Sequence, residues 1–95
     1  MDVSKIYKRN IKYRKRKIAN RFILMGMKKN FEINEIGSFI WEHLDGDTIL
    51  ASIIDLILEE YDINRNIIEV DVISFVKFLH ENEIIEEVEH VYESK

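Results

Sequence analysis

Apolar and polar positions change period partway along the chain. In "IKYRKRKI", residues 11–18, Ile11 and Tyr13 alternate with Lys12 and Arg14, and the alternation fades at Lys15 to Lys17. "RFILMGM" is a short apolar run bounded by polar residues. "NFEIN" puts Phe31 and Ile33 on one side and Glu32 on the other. Segments this short with a period of two predict strands. Ala19-Asn20 and "MKKN" read as the connecting turns. The expectation is a three-stranded antiparallel meander. Its third strand, around Phe31 to Ile33, lies at an edge with spare backbone N–H and C=O groups.

From Asn34 the period becomes helical. The Asn34 side chain can accept an N–H of a first helical turn, and Ile36, Phe39, Ile40 and Leu44 follow at helical spacing. Gly46 suits the left-handed residue that ends a helix, and Asp47 or Thr48 is placed to cap the next one. That second helix carries Ile49, Ile53, Leu56 and Ile57 and ends near Tyr61, with "DINRN" as a loop. A third helix is expected from about Ile67 to Glu81. Ile68, Val72, Phe75 and Leu79 form its central stripe. At about 100° per residue, Ile73, Val76 and His80 form a second stripe, and Asp71, Ser74 and Phe78 lie on the opposite flank. Asn82 is placed to end this helix in a left-handed turn. "EIIEEVEHVYESK" alternates weakly, as a short strand or a frayed helix. The predicted class is α+β and winged-helix-like: a three-stranded antiparallel sheet followed by three helices.

At 95 residues with 46% hydrophobic content, the chain is one domain with a modest core. Cysteine is absent, which excludes disulfides and thiolate zinc sites. The N-terminus has no apolar run of the signal-peptide kind, and no apolar run approaches the roughly 20 residues of a membrane span. A cytoplasmic location without membrane contact is the expectation. Charge is divided. Residues 1–29 hold 11 of the 14 basic residues and one acid, Asp2, whereas residues 30–95 hold three bases and 17 acids. The division sets a basic N-terminal stretch ahead of an acidic body. A basic arm can serve an acidic partner such as nucleic acid, or can lie against its own acidic helices.

Candidate chemistry is sparse. "DGD" at Asp45 to Asp47 does not make a calcium loop, because Ile49, Leu50 and Ala51 stand where oxygen ligands are needed. His43, His80 and His90 lack metal-ligand spacing. No phosphate-binding glycine loop or nucleophile elbow occurs. The glutamates fall on helix faces rather than in a marked pocket. An enzyme is not expected. Two binding modes remain. A DNA-reading winged helix needs basic side chains on its third helix, and this one offers Lys77 among Glu69, Asp71 and Glu81. The alternative is a peptide strand added to the free edge, with side chains entering apolar pockets beside the third helix.

The series "IN-x-IG-x-x-IW-x-x-LDG" at Ile33 to Gly46, Thr48, "DV-x-x-F-x-x-L" at Asp71 to Leu79 and the pair Ile84-Ile85 resembles the PqqD-like family. These are precursor-recognition domains of ribosomally made, post-translationally modified peptides. The resemblance spans about residues 11–86, which implies a peptide-recognition domain there, with a basic N-terminal arm over residues 1–10 and an acidic C-terminal tail over 87–95. It departs at Glu83, where the family usually has Gly, and at the "MKKN" turn. It implies an adaptor or chaperone without a cofactor of its own. The leader segment of a precursor peptide would add as a strand at Lys29, Asn30, Phe31, Glu32 and Ile33. On the third helix it would meet Val72, Phe75, Val76 and Leu79, flanked by Ile73 and His80. The implied partner is a separate modifying enzyme, either a radical S-adenosylmethionine enzyme or the peptidase and cyclase of lasso-peptide pathways. A nucleic-acid-binding regulator using the basic arm is the alternative, and a homodimer through paired edge strands is a third expectation.

Overall fold

A computed structural model describes residues 2–89. The expected meander is present as β2 (Arg14–Ile18), β3 (Arg21–Met25) and β4 (Asn30–Ile33), antiparallel and in the order β2-β3-β4. Its first turn places Ala19 at φ 51° and Asn20 at φ 65°. Two successive left-handed residues are what a two-residue hairpin needs to match strand twist. In the second turn the Gly26 N–H donates to the Lys29 carbonyl (2.9 Å). A Cβ at Gly26 would stand 2.4 Å from the Tyr13 ring, so any larger residue there would displace that ring.

The helices are α1 (Glu35–His43), α2 (Leu50–Glu60) and α3 (Arg65–Glu81). Asn34 caps α1 as expected, its Oδ1 accepting the Gly37 N–H at 2.7 Å. α3 begins earlier than the apolar pattern suggests, because Asn64 caps it by accepting the Asn66 N–H at 2.8 Å. It ends through Glu83, at φ 60°, while Asn82 keeps a negative φ. Glu83 therefore takes the left-handed position expected of Asn82.

A second sheet departs from the sequence reading. Ile6–Arg9, inside the expected basic arm, form β1. It is the central strand between β5 (Asp45–Ile49) and β6 (Ile85–Val88), both antiparallel to it. Ile6 and Tyr7 are buried. The Arg9 guanidinium donates to the Trp41 carbonyl at 2.9 Å, at the negative end of α1. β6 takes in the start of the expected acidic tail, and Glu87 pairs with Lys5 at 2.9 Å. Residues 90–95, with His90, lie outside the described residues.

The "DGD" segment is strand, not a helix junction. α1 ends at Leu44, before Gly46, and Ile49 stands at the N-cap of α2 without a side-chain cap. Gly46 does have φ +85°. The turn it serves is closed by Asp45, whose carboxylate accepts the N–H groups of Asp47 (2.9 Å) and Thr48 (3.1 Å) and the Thr48 hydroxyl. This bulge absorbs the register shift between the Ile6–Ile49 and Lys8–Asp45 pairs. Burial pushes the Asp45 carboxyl up, but these hydrogen bonds outweigh it and hold the group below its ordinary value.

The core lies among the helices and the inner faces of both sheets. Leu24, Ile40, Leu44, Ile53, Ile57, Ile68, Val72, Val76, Leu79 and Ile84 are all essentially inaccessible. Each such side chain contributes roughly 1.5–3 kcal/mol relative to exposure. Trp41 is core as well, with Arg9 5.9 Å over its ring. Among the described residues, no helix is long and apolar enough to cross a membrane.

Candidate functional site

β4 is an edge strand, and its hydrogen-bond phase is set by the turn before it. Gly26 and Lys29 form a bonded pair, so Leu24–Phe31 and Phe22–Ile33, two and four residues on, are bonded pairs also. The intervening Asn30 and Glu32 must then point their N–H and C=O groups outward. They form the template on which a further strand can pair.

Side chains at Lys29, Phe31 and Ile33 share the inner face of this sheet. Phe31 meets Phe78 of α3 edge-to-face, with ring centroids 5.3 Å apart. Asn30, Phe31, Glu32, Ile33, Asn34, Phe75 and Phe78 line a cleft of about 420 Å³ between β4 and α3. A second cleft of about 430 Å³ adjoins it, with Asn34 and Phe75 common to both linings. This one has Ile36, Gly37, Ile40, Ile63 and Ile68 as its apolar wall and Asp71 and Ser74 at α3. Gly37 lets the elements approach, since a Cβ there would lie 3.2 Å from Ile33 Cβ and 3.3 Å from the Phe75 ring. The result is an apolar groove running along an unsatisfied strand edge. That arrangement suits an extended peptide, whose backbone would bond to Asn30 and Glu32 and whose alternate side chains would enter the clefts.

The residues named from the sequence divide three ways. Asn30, Phe31, Glu32, Ile33 and Phe75 line the groove, and Lys29 immediately precedes β4 without lining it. Val72, Val76 and Leu79 are wholly buried and form the core beneath it. Ile73 and His80 lie on the other flank of α3. There they line a separate hollow with Tyr7 and Lys77, and His80 meets the Tyr7 ring at 5.5 Å. The flank that faces β4 is Asp71, Ser74, Phe75 and Phe78. Sequence periodicity separated these flanks without saying which faced the sheet edge. A large aromatic, Phe78, on the flank beside an already apolar stripe is the sequence signal that could have chosen between them, and in the structure it is 40% exposed.

The other sequence candidates are structural. His43 ends α1 with its Nδ1 2.9 Å from the Phe39 carbonyl and its ring 4.5 Å from the Phe39 ring. Among the described residues, no group of three or more His, Asp or Glu side chains converges as a metal site would require. The nucleic-acid alternative finds no support. Residues 6–9 are built into a sheet, and the two basic side chains of α3 are Arg65, engaged by Asp55 and Glu69, and Lys77 on the flank away from β4.

The sequence model of the family described as "Coenzyme PQQ synthesis protein D (PqqD)" matches residues 21–85, from the start of β3 to the start of β6. The chain belongs to the PqqD family. This membership gathers the edge strand, the three helices and the α3 flank into one matched unit. A solved structure, "TbiB1 in Complex with the TbiA(beta) Leader Peptide", is similar to the chain with a TM-score of 0.70 and 26% identity. The match covers 83% of this chain and 94% of that one. No curated protein matches the chain by sequence.

Proposed function

We propose that this PqqD-family chain binds the leader segment of a ribosomally synthesised precursor peptide and holds it for a separate modifying enzyme. Binding is by strand addition. The leader pairs with the outward N–H and C=O groups of Asn30 and Glu32. Its alternate side chains enter the groove between β4 and α3, meeting Phe31, Ile33, Phe75 and Phe78, with Ser74 and Asp71 further along. Val72, Val76 and Leu79 set the floor from within the core and do not touch the peptide. Ile73 and His80, on the far flank, are not part of this contact. The chain's role is binding and presentation, and the bond-making belongs to the partner, a radical S-adenosylmethionine enzyme or a leader peptidase and cyclase.

One observation carries the reading: an unpaired strand edge and an apolar groove lie side by side. Either feature alone is common in small domains. The likeness to a protein solved with a leader peptide supports the same ligand class. Titrating isotope-labelled protein with synthetic leader segments of precursor peptides tests the proposal. Amide shifts should concentrate at Asn30 to Ile33 and at Asp71 to Phe78, with a micromolar to nanomolar affinity, about -8 to -12 kcal/mol. Absence of shifts at both places would overturn it.

A further inference from the structure

The "RKRKI" strand sorts its charges by side-chain type. Lys15 and Lys17 point inward. Lys15 donates to the Ser38 hydroxyl (2.6 Å) and pairs with Glu42 (2.7 Å) on α1, and both ammonium groups sit over the Phe22 ring at 5.3 and 5.6 Å. Arg14 and Arg16 therefore point outward. In register with them on β3 are Met25 and Ile23, and Arg21 joins the same face beside Ile18. This is the outer face of the β2-β3-β4 sheet, opposite the one that packs on the helices. Ile18 is 49% exposed, and Ile23 and Met25 are half-buried without belonging to the apolar core. Among the described strand residues, the one acid on this face is Glu32, 3.7 Å from Arg21. Among the described residues, Arg14 and Arg16 make no ion pair.

We infer that this outer face docks an acidic protein surface, one that presents carboxylates around an apolar centre. Charge complementarity favours such an occupant, because an arginine fork bonds a carboxylate through two parallel N–H groups. The composition agrees. Arginine and methionine are enriched in protein interfaces and lysine is depleted, and this strand turns its arginines out and its lysines in. Nucleic acid fits less well. Ile18, Ile23 and Met25 would gain nothing from phosphates, and residues 30–95, with 17 acids against three bases, repel a polyanion as large as a duplex. The face and the groove lie on opposite sides of one sheet. An acidic partner can therefore be held while the groove is occupied. This surface does not depend on the groove's ligand.

Three probes test the inference on the full-length chain: a short poly-L-glutamate, a peptide of equal length alternating Glu and Leu, and a short DNA duplex. Amide shifts from both peptides should map to Arg14, Arg16, Ile23 and Met25. The alternating peptide should bind more tightly than poly-L-glutamate, and both more tightly than the duplex. Arg14→Glu with Arg16→Glu should weaken peptide binding about tenfold or more, with an unchanged circular-dichroism spectrum and unchanged binding in the groove. Phe78→Ala should leave the acidic peptides unaffected. Tighter binding of the duplex would assign the face to nucleic acid instead. Equal binding of the two peptides would remove the apolar centre from the inference. Shifts spread evenly over Lys12, Lys28 and Lys29, or none at all, would overturn it entirely.

Discussion

β4 and β5 are both edge strands of three-stranded antiparallel sheets, and they end in opposite conditions. β5 is blunted. Its bulge at Gly46 turns the chain, and the Asp45 carboxylate takes up the amides of Asp47 and Thr48. β4 is regular and open, and its exposed edge runs into an apolar groove. Proteins usually disarm strand edges with bulges or charges, because an open edge invites pairing. An edge left open beside Phe31, Phe75 and Phe78, in a molecule that disarms another, is best explained by a ligand. The two flanks of α3 repeat the contrast. Ile73 and His80 face the sheet built on β1, and Phe75 and Phe78 face the open edge.

The largest expected effect separates floor from groove. Leu79→Ala removes a wholly buried side chain and should lower stability by about 2–5 kcal/mol. The midpoint of urea unfolding should shift without a change of slope. Glu32→Pro strikes the open edge itself. Proline removes an outward N–H and leaves the bonded pairs with β3 in place, as edge strands tolerate. Leader binding should fall about a hundredfold, roughly 2.7 kcal/mol, with little change in melting temperature. Unchanged binding in calorimetry would mean that backbone pairing at β4 is not the mode of recognition. Phe78→Ala should weaken binding about tenfold, near 1.4 kcal/mol, and cost little stability because the ring is partly exposed. His80→Ala, on the other flank, should leave binding unchanged.

The smallest effect belongs to the blunted edge. The Asp45 carboxyl is held below its ordinary 3.8 by its hydrogen bonds. Stability from this group is therefore present above that value and is lost as pH falls through the lower folded-state value. Asp45→Asn should flatten the acid limb of a stability–pH curve, by less than about 1 kcal/mol for so exposed a group. An identical acid limb in the variant would show that Asp45 does not hold the bulge.

The features legible in the sequence are those that short-range chemistry dictates. Asn34 can cap only the helix that begins beside it, Ala19-Asn20 can turn only its own neighbours, and the alternation at Phe31 to Ile33 marks a strand wherever it pairs. The second sheet was not legible for the complementary reason. β1 is four residues long, and its partners, around Ile49 and Val88, are far away in sequence. Lys8 and Arg9 made it look like solvated arm. "DGDTI" misled because Gly, Asp and Thr are good helix-end residues, and only pairing with β1 makes the segment a strand. On α3 the stripes were visible, but their order around the axis does not say which one meets the edge. Periodicity sets Phe78 on one flank and Ile73 and His80 on the other, and only the packed structure places Phe78 beside β4.

Amide hydrogen exchange at β4, with and without the leader peptide, tests strand addition most directly. In the free protein, Phe31 and Ile33 are bonded to β3 and should exchange slowly, while Asn30 and Glu32 point outward and should exchange fast. Saturating leader should slow Asn30 and Glu32 alone among these four. If the peptide binds and those two amides still exchange at their free rates, the leader is held by side chains only, and β4 is not its partner strand.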